Sequence, residues 1–283
     1  MTPCDVEGRV SVMSLDRLRT AGFLAGCLLV VQFPGSGLAA SAADLLPHRV
    51  AYDLSVLESD MGSDVSGRMV MEFSGATCEG FTTNFRFVLR FVDTENRVSV
   101  TDLRTTTFEA PDGRSFDFLS RTFDDQKLSS EVKGKAIREG GGVEVELTSP
   151  ADASYSFSSE TVFPVRNLQD LLVAAESGRT VIEARVFDGA DDGDKVYETT
   201  SIIGARRSGD GAALAETLRG RAFWPVSVSY FDPAVTGDRV PEYGISFDLY
   251  DNGVSDNLVI DYGDLKLAGH MTNFEAMPAT DCE

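Results

Sequence analysis

The sequence predicts a mainly β fold, a single domain of many antiparallel strands with one helix. Three observations carry this. Apolar and polar residues alternate along most of the chain, which is the side-chain period of a strand with one buried face. Turn residues punctuate the runs at hairpin spacing, as in Pro111-Asp112-Gly113, Asp124-Asp125, Gly140-Gly141-Gly142, Asp251-Asn252-Gly253 and Gly263-Asp264. The regular strand–helix alternation of a parallel doubly wound sheet is missing.

The elements follow in order. Arg17 and Arg19 precede an apolar run from Ala21 to Phe33; the breakers Pro34, Gly35 and Gly37 come next, then Ala40-Ser41-Ala42. Charge, greasy core and small-residue cleavage site in this order read as a secretory signal peptide over residues 1–42, with the mature chain starting near Ala43. The run is shorter than the roughly 20 residues needed to span a bilayer, so no membrane span is expected in the mature protein. Met13 offers a more ordinary start than Met1. Leu24-Ala25-Gly26-Cys27 has the form of a lipobox, but the apolar run continues through Cys27 to Phe33, so lipid anchoring at Cys27 is the minor alternative.

Strands are predicted over 48–57, 67–75, 81–92, 96–108, 115–123, 127–137, 143–147, 154–163, 180–187, 195–205, 213–219, 223–231, 243–250, 257–261 and 265–275. Phe85, Phe87, Leu89 and Phe91 alternate with Arg86, Val88 and Arg90; Val143, Val145 and Leu147 with Glu144 and Glu146; Ile245, Phe247 and Leu249 with Ser246 and Asp248. The 213–219 stretch has a second reading as a helical turn, since Ala212, Ala213, Ala215, Glu216 and Leu218 favour helix. The helix is predicted over about 164–178. Leu168, Leu171, Leu172 and Ala175 form its apolar stripe, and Gly178 stops it. Such a stripe fits a helix plugging one end of a β structure. So many antiparallel strands must close, curl or split to manage their edges.

Composition narrows the function. The net charge is −20, and residues 1–42 carry three acidic and three basic side chains, so their removal leaves it unchanged. Such a chain repels nucleic acid and anionic membrane surfaces. Cys4 and Cys27 leave with the leader. Cys78 and Cys282 remain, and in an exported chain an even pair reads as one disulfide, the alternative being two free thiols. No C-x-x-C spacing suggests a redox-active pair.

Catalytic signals are sparse. His48 and His270 are the two histidines, at opposite ends of the mature chain, and neither sits in a nucleophile motif. They read as strand polar residues. Asp188-Gly189-Ala190-Asp191-Asp192-Gly193-Asp194 is dense in acid, but Ala190 stands where a calcium ligand belongs and no bidentate Glu follows, so a solvated hairpin turn is expected. No metal or cofactor is expected. Carboxylates are too numerous for spacing alone to single out a hydrolytic pair.

The last third carries more specific text: Trp224-Pro225-Val226-Ser227-Val228-Ser229-Tyr230-Phe231, then Pro241-Glu242-Tyr243, Asn252-Gly253-Val254 and Asp261-Tyr262-Gly263-Asp264. With Phe163-Pro164, Phe187-Asp188-Gly189, His48-Arg49-Val50-Ala51-Tyr52 and the Cys78/Cys282 pair, this ordered set resembles the EipB-like family, periplasmic cell-envelope integrity proteins of α-proteobacteria. Gly244 departs from it, standing where an acidic residue is expected after Pro-Glu-Tyr. The resemblance implies a sheet wound into a broken β-spiral or half-open barrel, a peripheral helix, a Cys78–Cys282 disulfide and an envelope role without established catalysis.

The leading expectation is therefore a non-enzymatic periplasmic protein that binds an envelope component or another periplasmic protein. A carrier of lipid or lipoprotein is the alternative, and an envelope-polymer hydrolase with paired carboxylates a third. Phe85, Phe87, Phe91, Trp224, Tyr230 and Phe247 are the candidates to line a concave face, with Trp224 read first as a buried structural residue.

Overall fold

A computed structural model describes residues 45–60, 63–209 and 216–282. The leader, its cleavage site, Cys27 and residues 210–215 lie outside them. Strands β1 (His48–Ser59), β2 (Asp64–Ala76), β3 (Gly80–Val92), β4 (Val98–Glu109), β5 (Ser115–Asp124), β6 (Lys127–Glu139), β7 (Gly142–Ser149) and β8 (Ala153–Ser158) form an unbroken antiparallel meander. The short β9 (Thr161–Val162) and helix α1 (Pro164–Glu176) follow. A second meander returns through β10 (Val181–Val186), β11 (Tyr197–Ile203), β13 (Ala222–Phe231), β14 (Tyr243–Tyr250), β15 (Ser255–Asp261) and β16 (Leu265–Ala276), with β12 (Arg207–Ser208) pairing beside β13.

The last strand joins the first. β16 pairs with β1 from His48↔Ala276 to Ser59↔Leu265, with register shifts after Ala51 and Val56. The fifteen strands on this path nearly close into a barrel, with one unsealed seam where the path ends at β8 on one side and β9 on the other.

Alternation decides what fills the interior. Phe87 and Leu89 are buried on β3 while Asn84, Arg86 and Arg90 are exposed; Val143, Val145 and Leu147 are buried on β7 while Glu144 and Glu146 are exposed. Charges pair across strands, Arg68 with Asp53 at 2.8 Å, Arg121 with Glu131 at 2.6 Å and Arg86 with Asp102 at 2.8 Å, and Asp102 also pairs with Arg104 on its own strand. The hydrogen bond from Arg86 leads in drawing the Asp102 carboxyl down to about 2.

The predicted elements stand with two differences. The predicted strand 154–163 is two pieces. The chain leaves β8, crosses the seam at Ser159-Glu160 and pairs Thr161 and Val162 in parallel with β10. A helix now intervenes between β9 and β10, and a crossover of that kind returns the chain in the same direction. Within 213–219 the described residues Glu216–Leu218 form a 3-10 turn, the helical alternative.

Side chains bridge the seam where the ladder stops. Phe116, Phe118, Val132, Val143, Val145 and Leu147 of β5–β7 pack in one cluster with Phe163, Phe187 and Val196 from beyond it. Arg138 on β6 donates to the carbonyls of Ser159 at 2.8 Å and Thr161 at 2.6 Å. The acid-dense loop between β10 and β11 is a hairpin connection only half solvated. Asp191, Asp192 and Asp194 are exposed, but Phe187, Gly189 and Gly193 are buried against β5–β7. Glycine is required at 189, where φ is +70° and a Cβ would meet the Phe118 ring at 2.6 Å.

Cys78, in the β2–β3 turn, and Cys282 are disulfide-bonded with Cα atoms 5.7 Å apart. The tail after β16 is also tied by Met277 N–H to Pro47 O at 2.8 Å and by Thr280 Oγ1 to Glu79 at 3.1 Å.

A bridge closing 204 residues restrains the unfolded chain by about 5 kcal/mol in the chain-entropy model. Cys78→Ser is therefore expected to lower the melting temperature of oxidised protein and to leave that of dithiothreitol-reduced protein unchanged; equal oxidised melting temperatures would refute a stabilising bridge. Gly189→Ala should destabilise by about 2 kcal/mol through overpacking against Phe118, read by urea unfolding.

Candidate functional site

Helix α1 sets the geometry of the interior. Pro164 starts it, and Phe163 at the N-cap offers no side-chain acceptor to the first turn. The missing acceptor comes from β4. Glu109, facing inward and 4% exposed, accepts the backbone N–H of Val165 at 2.8 Å and of Arg166 at 3.0 Å. Those N–H groups would otherwise be orphaned inside the protein. Desolvation pushes the Glu109 carboxyl up to about 7, against the pull of both N–H groups and of Arg166 and Arg138.

Fixed this way, α1 packs Val165, Leu171, Leu172, Ala174 and Ala175 in one cluster with inward side chains from both meanders, among them Phe73 and Phe81 on one side and Trp224 and Val226 on the other. The packing is incomplete at the first turns. A hollow of about 190 Å³ remains between Pro164, Val165 and Leu168 of α1, His48 of β1, and Met71 and Phe73 of β2. Leu45, Thr83 and the Asn252-Gly253 turn complete a mostly apolar wall.

His48 is the polar exception. It is 2% exposed, with its ring stacked on Phe274 at 5.6 Å and tilted against Phe73 at 6.0 Å. Nδ1 lies 2.7 Å from Leu46 O, while Nε2 is buried with no hydrogen-bond partner among the described residues. A carbonyl oxygen only accepts, so Nδ1 carries the hydrogen and the neutral ring leaves Nε2 with its lone pair. Burial lowers the His48 pKa and favours that neutral form.

Larger depressions lie outside the apolar interior and are polar. One of about 880 Å³ is lined by Glu183, Arg185, Glu198 and Arg239. Arg185 and Arg239 both pair with Glu198, at 3.0 and 2.6 Å, and Glu160, Glu183 and Asp238 also line it, so acidic side chains outnumber basic ones there. Nearby, Lys195 reaches Glu242 at 2.9 Å, Asp232 at 3.4 Å and Asp191 at 3.5 Å, and Tyr197 OH donates to Asp191 at 2.6 Å. This clamp fastens the β10–β11 loop to the β13–β14 connection.

The six aromatics singled out in the sequence divide between two clusters. Phe85, Phe87 and Phe91 pack with Tyr52, Leu54 and Leu267; Trp224 and Tyr230 pack with α1; Phe247 touches both groups. None of the six lines the hollow. Trp224 is 3% exposed, with the Arg206 guanidinium 5.9 Å from its ring. Tyr230 stacks on Tyr243 at 4.3 Å. His270 is exposed on β16, away from the hollow residues. Sequence reasoning missed Glu109 and the hollow. The signal for Glu109 was an acid ending an alternating strand on its inward phase.

The EipB-like family model matches residues 39–278. The chain is 38% identical over 268 residues to the cell envelope integrity protein EipB of Brucella abortus, covering 93% of this chain and 95% of that one. It also matches the crystal structure of a β-barrel-like protein of a domain of unknown function from Brucella abortus, with a TM-score of 0.79 and 37% identity over 84% of this chain and all of that one.

The helix cap has a measurable pH signature. Glu109 titrates near 7 in the folded protein against 4.5 unfolded, so between these values only the folded state holds the proton. Stability should therefore fall as pH rises from about 4.5 to above 7, by about 3 kcal/mol from this group. Glu109→Gln should remove that part of the slope, read by urea unfolding across the range; parallel profiles for the two proteins would refute the assignment.

Proposed function

The chain belongs to the EipB-like family, and from that premise we propose that it is a periplasmic, non-enzymatic protein that supports cell-envelope integrity by binding an envelope component or another periplasmic protein. Residues 1–42 direct export and are removed, and residues 43–283 fold as one domain. One observation supports the export part: the Cys78–Cys282 bond suits an oxidising compartment.

The observation that carries the binding reading is the filled interior. Three apolar clusters and α1 occupy the inward face, and the hollow beside the helix holds about 190 Å³. That is near the roughly 150 Å³ of an engineered cavity that takes one benzene. A space of this size accepts the end of a chain or a single ring, not the body of a lipid, which favours recognition over bulk carriage. The lipid-carrier reading keeps one specific support, the apolar wall of the hollow. The hydrolase reading gains none from the buried acids described: Glu109 caps a helix, and Asp102 is held between two arginines.

The test is genetic. Deleting the gene should sensitise cells to detergent and osmotic stress. The full chain should restore resistance, and a chain lacking residues 1–42 should fail although it accumulates. No sensitisation, or equal rescue by the leaderless chain, would overturn the proposal.

A further inference from the structure

The unsealed seam leaves one strand edge free. β8 ends the path, and no described strand pairs beyond it. Which of its backbone groups face outward follows from the neighbouring ladders. Arg138 N–H donates to Arg114 O at 2.8 Å, so Arg138 faces β5 and, by alternation, Lys135 and Ile137 face β7. Opposite them Glu146 and Glu144 face back to β6, which turns Val143, Val145 and Leu147 toward Phe157, Tyr155 and Ala153 of β8. The N–H and C=O groups of Ser154, Ser156 and Ser158 therefore point away from the sheet, and all three residues are exposed.

Natural edges are blunted by charge, proline or a bulge. β8 has none of these: it carries no charge and no proline, and it pairs with β7 without a register shift. Its two faces differ. Tyr155 and Phe157 turn inward, half-buried, and Phe157 tilts against Phe187 at 5.5 Å. Ser154 and Ser156 turn outward, beside the exposed carboxylates Glu146 and Glu144 of β7. Asp152 and Glu160 stand exposed just beyond the two ends of the strand. None of these four acids has an ion pair with a described residue.

These features specify an occupant. The bare backbone calls for a strand, the half-buried aromatics for apolar side chains on its inner face, and the unpaired acids for cations on its outer one. Glu144 and Glu146 lie about 10 Å, or two strand spacings, from such a strand, a gap that a glutamate and a lysine or arginine span together. A second copy of this chain, with a net charge of −20, brings the wrong sign. We propose that β8 is a docking edge for an extended basic segment of a partner protein, which adds to the sheet as a strand with apolar side chains beside Tyr155 and Phe157 and Lys or Arg side chains toward Glu144 and Glu146. This docking rests on the binding role above and adds its surface and the partner's chemistry; its test is in vitro, so its failure is separate from failure of the genetic test.

The probes are capped heptapeptides: one alternating Lys and Val, one alternating Glu and Val, and the first N-methylated throughout. Binding to the protein purified from the cells that make it is read by calorimetry in about 0.15 M salt, which screens loose attraction. The Lys peptide should bind and the Glu peptide should not. Methylation removes the backbone donors and keeps the charge, so it should weaken binding about tenfold. Hydrogen exchange at the Ser154, Ser156 and Ser158 amides should slow when the Lys peptide is bound. Glu144→Gln together with Glu146→Gln should weaken binding about fivefold. Ser156→Pro removes an outward N–H and no bond to β7, so it should abolish binding with near-UV circular dichroism unchanged; if that variant does not fold, methylation and amide protection decide. No binding of the Lys peptide, equal binding of its methylated form, protection only at other amides, binding that survives Ser156→Pro, or a dimer of the free protein that Ser156→Pro dissolves, which would give the edge to a second copy, would each overturn the proposal.

Discussion

Everything in this fold depends on the pairing of its first strand with its last. The two meanders are open sheets taken singly, and each would present a long unpaired edge to solvent, the template for aggregation that β proteins must blunt. The β1·β16 ladder turns the two edges into one continuous wall. It is also the least local ladder among the described residues, since it joins residues 48–59 to 265–276, and pairing over such a range is intrinsically slow to form. The disulfide and the tail contacts lie at the same end of the molecule. Cys282, Thr280 and Met277 fasten the residues after β16 to Cys78, Glu79 and Pro47 around β1. Covalent and hydrogen-bonded restraints thus reinforce the join whose loop-closure entropy is largest.

Closing the wall at β1·β16 moves the remaining discontinuity to the middle of the sequence. β8 and β9 end the path with no ladder between them. The two-residue β9 is too short to be a useful template, and the crossing is held by other means: the Phe116–Phe163 stack at 5.2 Å, the Arg138 donors to Ser159 and Thr161, and the buried half of the 187–196 loop. Lys195 then ties the exposed half of that loop to Asp232 and Glu242. Part of this acidic chain's charge therefore gathers around one lysine and helps seal the seam.

What could be read from the sequence follows from range. Alternation in Phe85–Phe91 or Val143–Leu147 is decided by immediate neighbours, so strands and helix stood out; Cys78 and Cys282 read as one bridge or two free thiols, and they are bonded. Features that depend on distant partners did not stand out. Nothing local marks Glu109 as the cap of a helix 56 residues on, or Phe187 as a wedge between two ends of a sheet. The Asp-Gly loop shows the same limit. Its composition promised a solvated turn, and its glycines are indeed turn residues, but Gly189 is also there to let the backbone approach Phe118. The single strand expected over 154–163 was broken because the chain changes role at Ser159-Glu160, from last strand of one meander to entry of the helix. The β propensity of Thr161-Val162-Phe163 gives no sign of that change.

The hollow follows from laying a helix against a sheet. Neighbouring strands lie about 4.8 Å apart, whereas a helix with its side chains is about 10 Å across. A helix on the inward face cannot follow the pleat, so contact is tight along one stretch and lost along another. Here contact is tight where Leu171, Leu172 and Ala175 meet the cluster shared with Trp224 and Val226, and it is lost at the first turns beside Met71 and Phe73. The two buried ionisable side chains of this region fall on either side of that difference. Glu109 sits where the helix begins and is fully used by its N–H groups, so it belongs to the scaffold. His48 holds Leu46 O with one nitrogen and buries the other. An apolar side chain of similar size would fill the same place between Phe73 and Phe274 but would leave Leu46 O without its donor, so the Nδ1 hydrogen bond is the structural reason for a histidine there, and the buried Nε2 is its desolvation cost.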